Sequence, residues 1–186
     1  MEYTAEQGKV LLRLARQTIA ARLGQGEATE VAPEGMGLEQ QRAVFVTLRK
    51  QGRLRGCIGN LEPVGSLWQG VRDNAVNAAF NDYRFPPLSA DELAELRIDI
   101  SVLSPPTLLD YSDADDLLAR LRPGRDGVIL SVGSSRATFL PQVWQQLPRP
   151  EDFLGHLCRK AGLSDTAWRD KHPAIRIYTV QSFEEE

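Results

Sequence analysis

The stretch AVFVTLRKQGRLRGCIG, residues 43–59, decides how this chain folds. Two short apolar runs flank a turn at residues 50–53 that contains Gly52, and such a pattern predicts a β-hairpin. The second run also holds Cys57, one of only two cysteines in 186 residues. The hairpin therefore raises a question of chemistry as well as one of fold.

Outside the hairpin, apolar residues recur with the period of a helix or of a strand. A capping box at Thr4 and Gln7 begins a helix that Gly24 ends, and Ser112 is the predicted cap of a later helix. The predicted helices are 4–23, 66–80, a short one after Ser89, 112–121 and 150–161; the predicted strands are 97–103, a hairpin at 127–140 and a final strand at 175–183. Because helices and hairpins are interspersed without a βαβ rhythm, we expect an α+β fold: a largely antiparallel sheet with flanking helices.

Residues 24–40 connect the first predicted helix to the hairpin. The segment GQGEATEVAPEGMGLEQ is rich in Gly and Glu, which predicts a long, mobile surface connection. It is either a lid over a site or, as most such segments are, a tolerated loop.

The composition bounds the function. A formal net charge of -3 and a pI near 5.5 argue against bulk binding to nucleic acid. No apolar run approaches the ~20 residues that a membrane span needs, and the charged N-terminus does not resemble a signal peptide. Two cysteines and two histidines give neither a disulfide framework nor a zinc site. We therefore expect a cytoplasmic protein with no membrane contact, no bound metal and no cofactor.

Cys57 has two readings. In a regular strand, Leu54 and Ile58 share one face, and Arg55 shares the other with the thiol, where a guanidinium would lower the pKa of the cysteine. Gly56 and Gly59 would leave room for a ligand beside the strand. These features suit a nucleophile or an anion-binding site. The alternative is a packed cysteine, with glycines that mark a bulge, and a bulge would reverse the facing assignment.

No base partner for Cys57 is evident in the sequence. His156 lies off the apolar face of its predicted helix, and His172 precedes a proline in a loop, so a Cys–His pair has little support. Cys158 belongs to the apolar face of the same helix as His156 and is predicted to be core.

Three further polar features are candidates for ligand binding. Among the five basic residues between 42 and 55, only Arg55 is on the predicted thiol face; the rest are expected to be solvated. Asn74 leads a row of amides, with Asn77 and Asn81, that suits a polar site when buried. Arg84 lies in a loop that two prolines stiffen, where it can reach a ligand or bond Asp82 in a turn.

Several stretches together resemble the AMMECR-type domain family, called AmmeMemoRadiSam system protein A in microbes. They are VFVTLRKQGRLRGCIGNLEPV, AAFNDYRFPPLSADELAEL, IDISVLSPP, GRDGVIL, FLPQVW and FLGHLCRKAGL followed by AW. LRGCIG, residues 54–59, is the most specific of them. The resemblance implies one domain over residues 1–186, made of two closely packed subdomains with a cleft between them.

The resemblance implies a context and no established reaction. It points to a pathway shared with Memo-like and radical-SAM proteins that modifies a biomolecule. It also marks Arg55, Gly56, Cys57, Gly59 and Arg84 as candidate site residues.

Two hypotheses follow. In the first, which we favour, the chain is a ligand- or partner-binding component, and an anionic ligand would suit it. In the second, it is an enzyme in which Cys57 attacks as a thiolate and Arg55 holds an anionic group of the substrate.

Overall fold

The predicted hairpin forms the middle and one edge of the first sheet. In the computed structural model, which describes residues 2–27 and 31–185, β1 is Val44–Lys50 and β2 is Arg53–Gly59. Gln51 and Gly52 both have positive φ, 51° and 75°, as a two-residue hairpin turn that matches the strand twist requires. The sheet order is β2-β1-β3-β8, with β3 at Leu96–Leu103 and β8 at Val180–Glu184, so β2 is an edge strand.

Two helices accompany this sheet. α1 (Ala5–Arg22) begins at the predicted capping box, in which Thr4 and Gln7 each bond the backbone of the other. α2 (Leu67–Val76) is capped by Ser66 and continues into a π-helical turn at Asn77–Asn81. Their apolar faces meet the sheet in one core, whose fully buried members include Leu11, Leu14, Ile19, Leu48, Leu67, Val71, Ala75, Ile98 and Ile100. The amphipathic periods read from the sequence therefore correspond to real burial.

A second sheet, of order β4-β7-β5-β6, lies in the later part of the chain. The predicted hairpin at 127–140 is present as β5 (Gly127–Val132) and β6 (Ser135–Phe139); β4 is Thr107–Leu108 and β7 is Ala174–Tyr178. The helices are α3 (Ala114–Arg120), α4 (Pro150–Lys160) and α5 (Ala167–Asp170); 3₁₀ turns occupy Pro141–Gln145 here and Ala90–Glu95 in the first part of the chain. In the second core, Trp144 stacks on Phe153 with ring centroids 3.7 Å apart.

The fold class is confirmed: helices flank two antiparallel four-stranded sheets. The chain divides into two compact units, one of Met1–Leu103 with Gln181–Glu186 and one of Ser104–Val180. The cleft and the close packing of two subdomains stay predictions.

Two boundary predictions were wrong. The final strand is two strands in different sheets, because at Thr179 both backbone groups bond Ser104 instead of a neighbouring strand. The cap of α3 is Asp113, whose side chain accepts from the Asp116 N–H; Ser112 instead bonds the Asp116 carboxylate.

The predicted mobile connection is described only in part. Residues 28–30 lie outside the described residues. On either side, 24–27 and 31–40 form turns and bends with no regular helix or strand. The mobility and the lid role stay predictions.

Within the described part of the chain, no helix combines the length and the apolar character that crossing a membrane would require.

Candidate functional site

A β-bulge at Arg55 interrupts β2, the strand that contains the signature motif LRGCIG. Leu48 of β1 lies opposite Gly56, and the next residue, Arg49, lies opposite Leu54. Arg55 is therefore one residue too many on β2 and has no partner in the ladder. A single extra residue reverses the facing of every side chain beyond it.

The bulge corrects the predicted facing. Cys57 lies opposite Thr47, and Ile58 lies opposite Val46 on the core side of the sheet. Leu54 lies opposite Arg49, and because Arg49 and Thr47 are two residues apart in β1, Leu54 shares the face of Cys57. The prediction that Leu54 and Ile58 share one face was wrong.

Arg55 is paired with an acid and not with the thiol. Its Nε and Nη2 donate to the two carboxylate oxygens of Glu92 at 3.0 and 2.9 Å, and its side chain is only 11% exposed. Lys50 reaches the same carboxylate at 3.4 Å. Chiefly because of Arg55, the pKa of Glu92 falls to about 2. The guanidinium is both paired and largely buried, so little of it is accessible to an anion, and the expected pairing of Arg55 with the thiol is not observed.

The two signature glycines are positions of close packing. At Gly56, a Cβ would collide with the backbone carbonyl of Ala78 in the π-helical turn. At Gly59, it would collide with the ring of Phe45. The space that we expected these glycines to leave for a ligand is filled by protein. A ligand contact through their backbone stays a prediction.

Asp82 and Arg84 hold Cys57 from the open side of β2. The Cys57 N–H donates to Asp82 Oδ2 at 2.9 Å, and Arg84 Nη2 donates to the Cys57 carbonyl at 3.1 Å. Arg84 also clamps Asp82 through Nε at 2.9 Å and Nη2 at 2.6 Å. Asp82 is 3% exposed, and the guanidinium of Arg84 is the chief reason that its pKa lies well below the usual carboxyl range.

This arrangement replaces a missing neighbour strand. The backbone of Asn60 bonds β1 through Val44, so by alternation the N–H and C=O of Cys57 point away from β1, towards the open edge. The Asp82 carboxylate accepts a hydrogen bond from the Cys57 N–H, and the Arg84 guanidinium donates one to the Cys57 C=O. Exposed edge groups invite pairing with other chains, and here they are satisfied within the chain. Cys57 is thereby fixed in position.

The side chain of Cys57 is bonded to the neighbouring strand. Its Sγ accepts a hydrogen bond from Thr47 Oγ1 at 3.3 Å, and the residue is half-buried. Cys158, by contrast, is fully buried in the second core, as predicted, and burial raises the pKa of its thiol. Both histidines lie at positions 104–180, so the unit that contains Cys57 has none.

An aromatic ring links the two arginines near the signature. The guanidinium carbon of Arg84 lies 5.6 Å from the centre of the Phe85 ring, and that of Arg55 lies 6.0 Å from it. The Arg84 side chain is 43% exposed, in contrast to Arg55. Next to it, Tyr83 is 95% exposed. Arg84 is therefore an accessible cation beside Cys57.

Asn74 lies in a different environment. It is 2% exposed, and its amide nitrogen donates to the Val44 carbonyl at 3.0 Å and to Asn60 Oδ1 at 3.1 Å. It lines a pocket of about 210 Å³ that Asn77 also lines. The site residues thus fall into two groups: Cys57 with Arg84, and the pocket of Asn74.

Sequence reasoning missed three parts of this site. Thr47 and Glu92 were not identified as partners of Cys57 and Arg55, and Asp82, for which a turn contact with Arg84 was considered, was not identified as the acceptor of the Cys57 N–H. That contact exists, but the bond from Asp82 to Cys57 joins positions 25 apart in the chain. The one available signal was the capping box at Ser89, which places Glu92 in a short helix without showing what it binds.

Glu92→Gln should lower the free energy of unfolding at pH 7 by about 1–2 kcal/mol, because the amide can still cap the turn but loses the charge that Arg55 binds. The pKa of Glu92 is depressed in the folded state, so its contribution is present above the unfolded value, near 4.5, and is lost as pH falls towards about 2. The difference between variant and wild type should therefore shrink between those pH values. Urea unfolding at a series of pH values measures it.

Glu95→Gln is the control for that experiment, because Glu95 also pairs with Lys50 but its side chain is 44% exposed. It should change stability by less than about 0.5 kcal/mol. An equal effect of the two substitutions would contradict the special role of the Arg55 pair.

Among residues 2–27 and 31–185, no three His, Cys, Asp or Glu side chains cluster so that they could hold a metal ion.

The geometry describes a class of protein: an α+β chain with two antiparallel sheets, whose edge strand carries a half-buried cysteine with its backbone held by an aspartate–arginine pair. The chain belongs to the AMMECR1 family, which matches residues 12–183.

Similar proteins support this assignment. The chain is 38% identical to the protein MK0488 of Methanopyrus kandleri over 191 residues, which cover 98% of this chain and 90% of that one. It is 35% identical to the protein MJ0810 of Methanocaldococcus jannaschii, covering 98% and 92% of the two chains. The crystal structure of the uncharacterized protein PH0010 from Pyrococcus horikoshii is similar, with a TM-score of 0.86 and 34% identity over 100% of this chain and 95% of that one.

Proposed function

We propose that this chain is a ligand- or partner-binding component whose contact surface is centred on Cys57 and Arg84. The observation that carries the proposal is that a buried carboxylate, Asp82, fixes the backbone of Cys57 in an edge strand. A buried charge is expensive and persists where its partners hold it in one geometry. Here the geometry fixes a half-buried cysteine next to an accessible guanidinium.

Arg84 supplies the chemistry of recognition in this proposal. Its guanidinium is paired with Asp82, as that of Arg55 is with Glu92, but the Arg84 side chain is 43% exposed where that of Arg55 is 11% exposed. It lies against Phe85, and Tyr83 is exposed beside it. Tyrosine and arginine are the residue types that most often carry binding energy at interfaces. We therefore assign to Arg84 the anion-binding role that the sequence suggested for Arg55. An anionic group on a protein or small-molecule partner suits this surface.

The family suggests the context. The resemblance to the AMMECR-type family points to Memo-like and radical-SAM proteins as partners in a pathway that modifies a biomolecule. The net charge of -3 does not favour nucleic acid as the partner. Two free cysteines suit the reducing cytoplasm, which we propose as the location.

An enzyme with Cys57 as nucleophile is the second candidate, and the bond from Thr47 to Sγ favours it, since a donor at 3.3 Å would stabilise a thiolate. Such a reaction needs an acceptor for the thiol proton. Asp82 is a poor acceptor, because Arg84 holds it ionised with a low pKa and its oxygens already accept bonds. Catalysis would need a proton acceptor for the Cys57 thiol, and binding needs none. We therefore prefer the binding function.

The test is protection of Cys57 by a partner. The alkylation rate of Cys57 is measured by peptide mass spectrometry for the full chain alone and with the Memo-like protein, the radical-SAM protein or both from the same genome. We expect a partner to slow alkylation at least about tenfold, and Arg84→Gln to weaken that partner's binding by a similar factor.

Arg120→Gln is the matched control, because Arg120 is also an exposed arginine paired with an aspartate, Asp116, and lies in the other unit. It should leave binding unchanged. If neither protein slows the alkylation of Cys57, or if both arginine variants bind alike, the proposed contact surface is wrong.

A further inference from the structure

The second group of polar residues surrounds a pocket of about 210 Å³ in the first unit. Its floor is buried: Val44 is 1% exposed and Asn74 is 2% exposed. Ile58 of β2 and Asn60, just after that strand, contribute one side, and α2 contributes its polar side from Gln69 to the π-helical turn. Neither Cys57 nor Arg84 lines this pocket.

The amides of the pocket are held in defined orientations. Asn74 donates to Asn60 Oδ1, so the amino group of Asn60 is turned away from Asn74 and keeps its donors for another partner. Asn77 Oδ1 accepts from Asn81 at 2.8 Å, which leaves the amino group of Asn77 as a donor too. Asn74 itself is fixed by its second bond, to the Val44 carbonyl. The pocket therefore has preset hydrogen-bonding groups.

The pocket also contains one charge of each sign. Among the described residues, Arg42 donates to neutral acceptors, the Gln41 carbonyl at 2.8 Å and Gln40 Oε1 at 2.9 Å, and its charge also acts on the neutral hydroxyl of Tyr3. Asp73, which is exposed, accepts from the neutral amide of Gln69 at 2.7 Å. Neither charge is neutralised by these bonds, so each can attract a group of opposite sign.

The floor is tightly built. A Cβ at Gly70, on the side of α2 that lines the pocket, would approach Val44 Cγ1 to 2.9 Å. The glycine lets the helix lie this close to β1, because a larger residue would have to displace the Val44 side chain. The wall of α2 and the floor of β1 are therefore in direct contact, and a small ligand would meet a preformed surface.

We infer that this pocket binds a small zwitterion of the size of a free amino acid, its carboxylate on Arg42 and its ammonium group on Asp73. The volume equals that of roughly seven water molecules, below the range for drug-sized ligands and nucleotides. The amides of Asn60 and Asn77 would bond further polar atoms of the ligand. The inference concerns a different site from that of Cys57 and stands or falls separately.

The test is thermal unfolding of the full chain with each of the standard L-amino acids at about 10 mM. At least one should raise Tm by about 2 °C or more, because a ligand that binds only the folded state stabilises it. Its N-acetyl derivative, which lacks the positive charge, and its amide, which lacks the carboxylate, should each lose the shift. Isothermal calorimetry with the same amino acid then gives the affinity.

Two variants assign the shift to the pocket. Asp73→Asn should fold normally, because the residue is exposed, and should weaken binding at least about tenfold, as should Arg42→Gln. Glu95→Gln, outside the pocket, should bind like wild type. The inference is overturned if no amino acid raises Tm, if the singly charged derivatives act equally well, or if Asp73→Asn and Arg42→Gln bind normally.

Discussion

Gly56→Ala should destabilise the folded chain by about 3 kcal/mol or prevent its folding, because the new methyl group would occupy the position of the Ala78 carbonyl. That carbonyl belongs to the backbone of the π-helical turn and cannot rotate aside as a side chain can. In open space, the same substitution reduces the freedom of the unfolded chain and is neutral or slightly stabilising. Urea unfolding measures the difference.

Gly65→Ala is the control, because a Cβ there would meet only the side chain of Gln69, at 3.8 Å, in ordinary contact. It should change stability by no more than about 0.5 kcal/mol. If Gly56→Ala were as mild as Gly65→Ala, β2 would not lie against Ala78, and a space for a ligand beside Gly56 would again be open.

Asp82→Asn should lower the free energy of unfolding at pH 7 by about 2–3 kcal/mol. Removing one partner of a buried ion pair costs about 3–5 kcal/mol, and the partial exposure of Arg84 reduces that figure. The amide keeps the size of the carboxyl but replaces charge-assisted bonds to Arg84 and to the Cys57 N–H with weaker ones. Urea unfolding of the variant and wild type gives this difference.

The effect should depend on pH in a defined direction. The folded-state pKa of Asp82 is depressed, so the stabilisation is complete above the ordinary carboxyl value, near 4, and decreases as pH falls below it. Asp73→Asn, at an exposed position of the same unit, should change stability by less than about 0.5 kcal/mol. An Asp82→Asn effect of that small size, or one that did not decrease in acid, would contradict the proposed clamp.

Local sequence signals were sufficient for most of the fold. Three features were each predicted from residues close together in the sequence, and all three are present: the hairpin turn at Gly52, the capping box at Thr4 and the apolar row of α2. The break at Thr179 could not be read in this way. Residues 175–183 favour a strand throughout, and the contact with Ser104 that divides them joins positions 75 apart in the chain.

The site was less predictable for the same reason. The motif drew attention to Cys57, and the loop prolines drew attention to Arg84. The bulge at Arg55 depends on pairing with β1, however, and the capture of its guanidinium depends on Glu92, 37 residues away. The predicted facing assumed that side chains alternate without interruption along β2. The single bulge at Arg55 breaks this alternation, so Leu54 lies on the same face as the thiol of Cys57.

Whether Cys57 lies in a partner-binding surface is tested by its alkylation rate with and without a partner. We expect the folded chain to be labelled at Cys57 while the buried Cys158 is spared, and a Memo-like or radical-SAM partner to slow labelling at least about tenfold. Labelling that begins only when the chain unfolds, or that proceeds at the same rate with a partner bound, would contradict it.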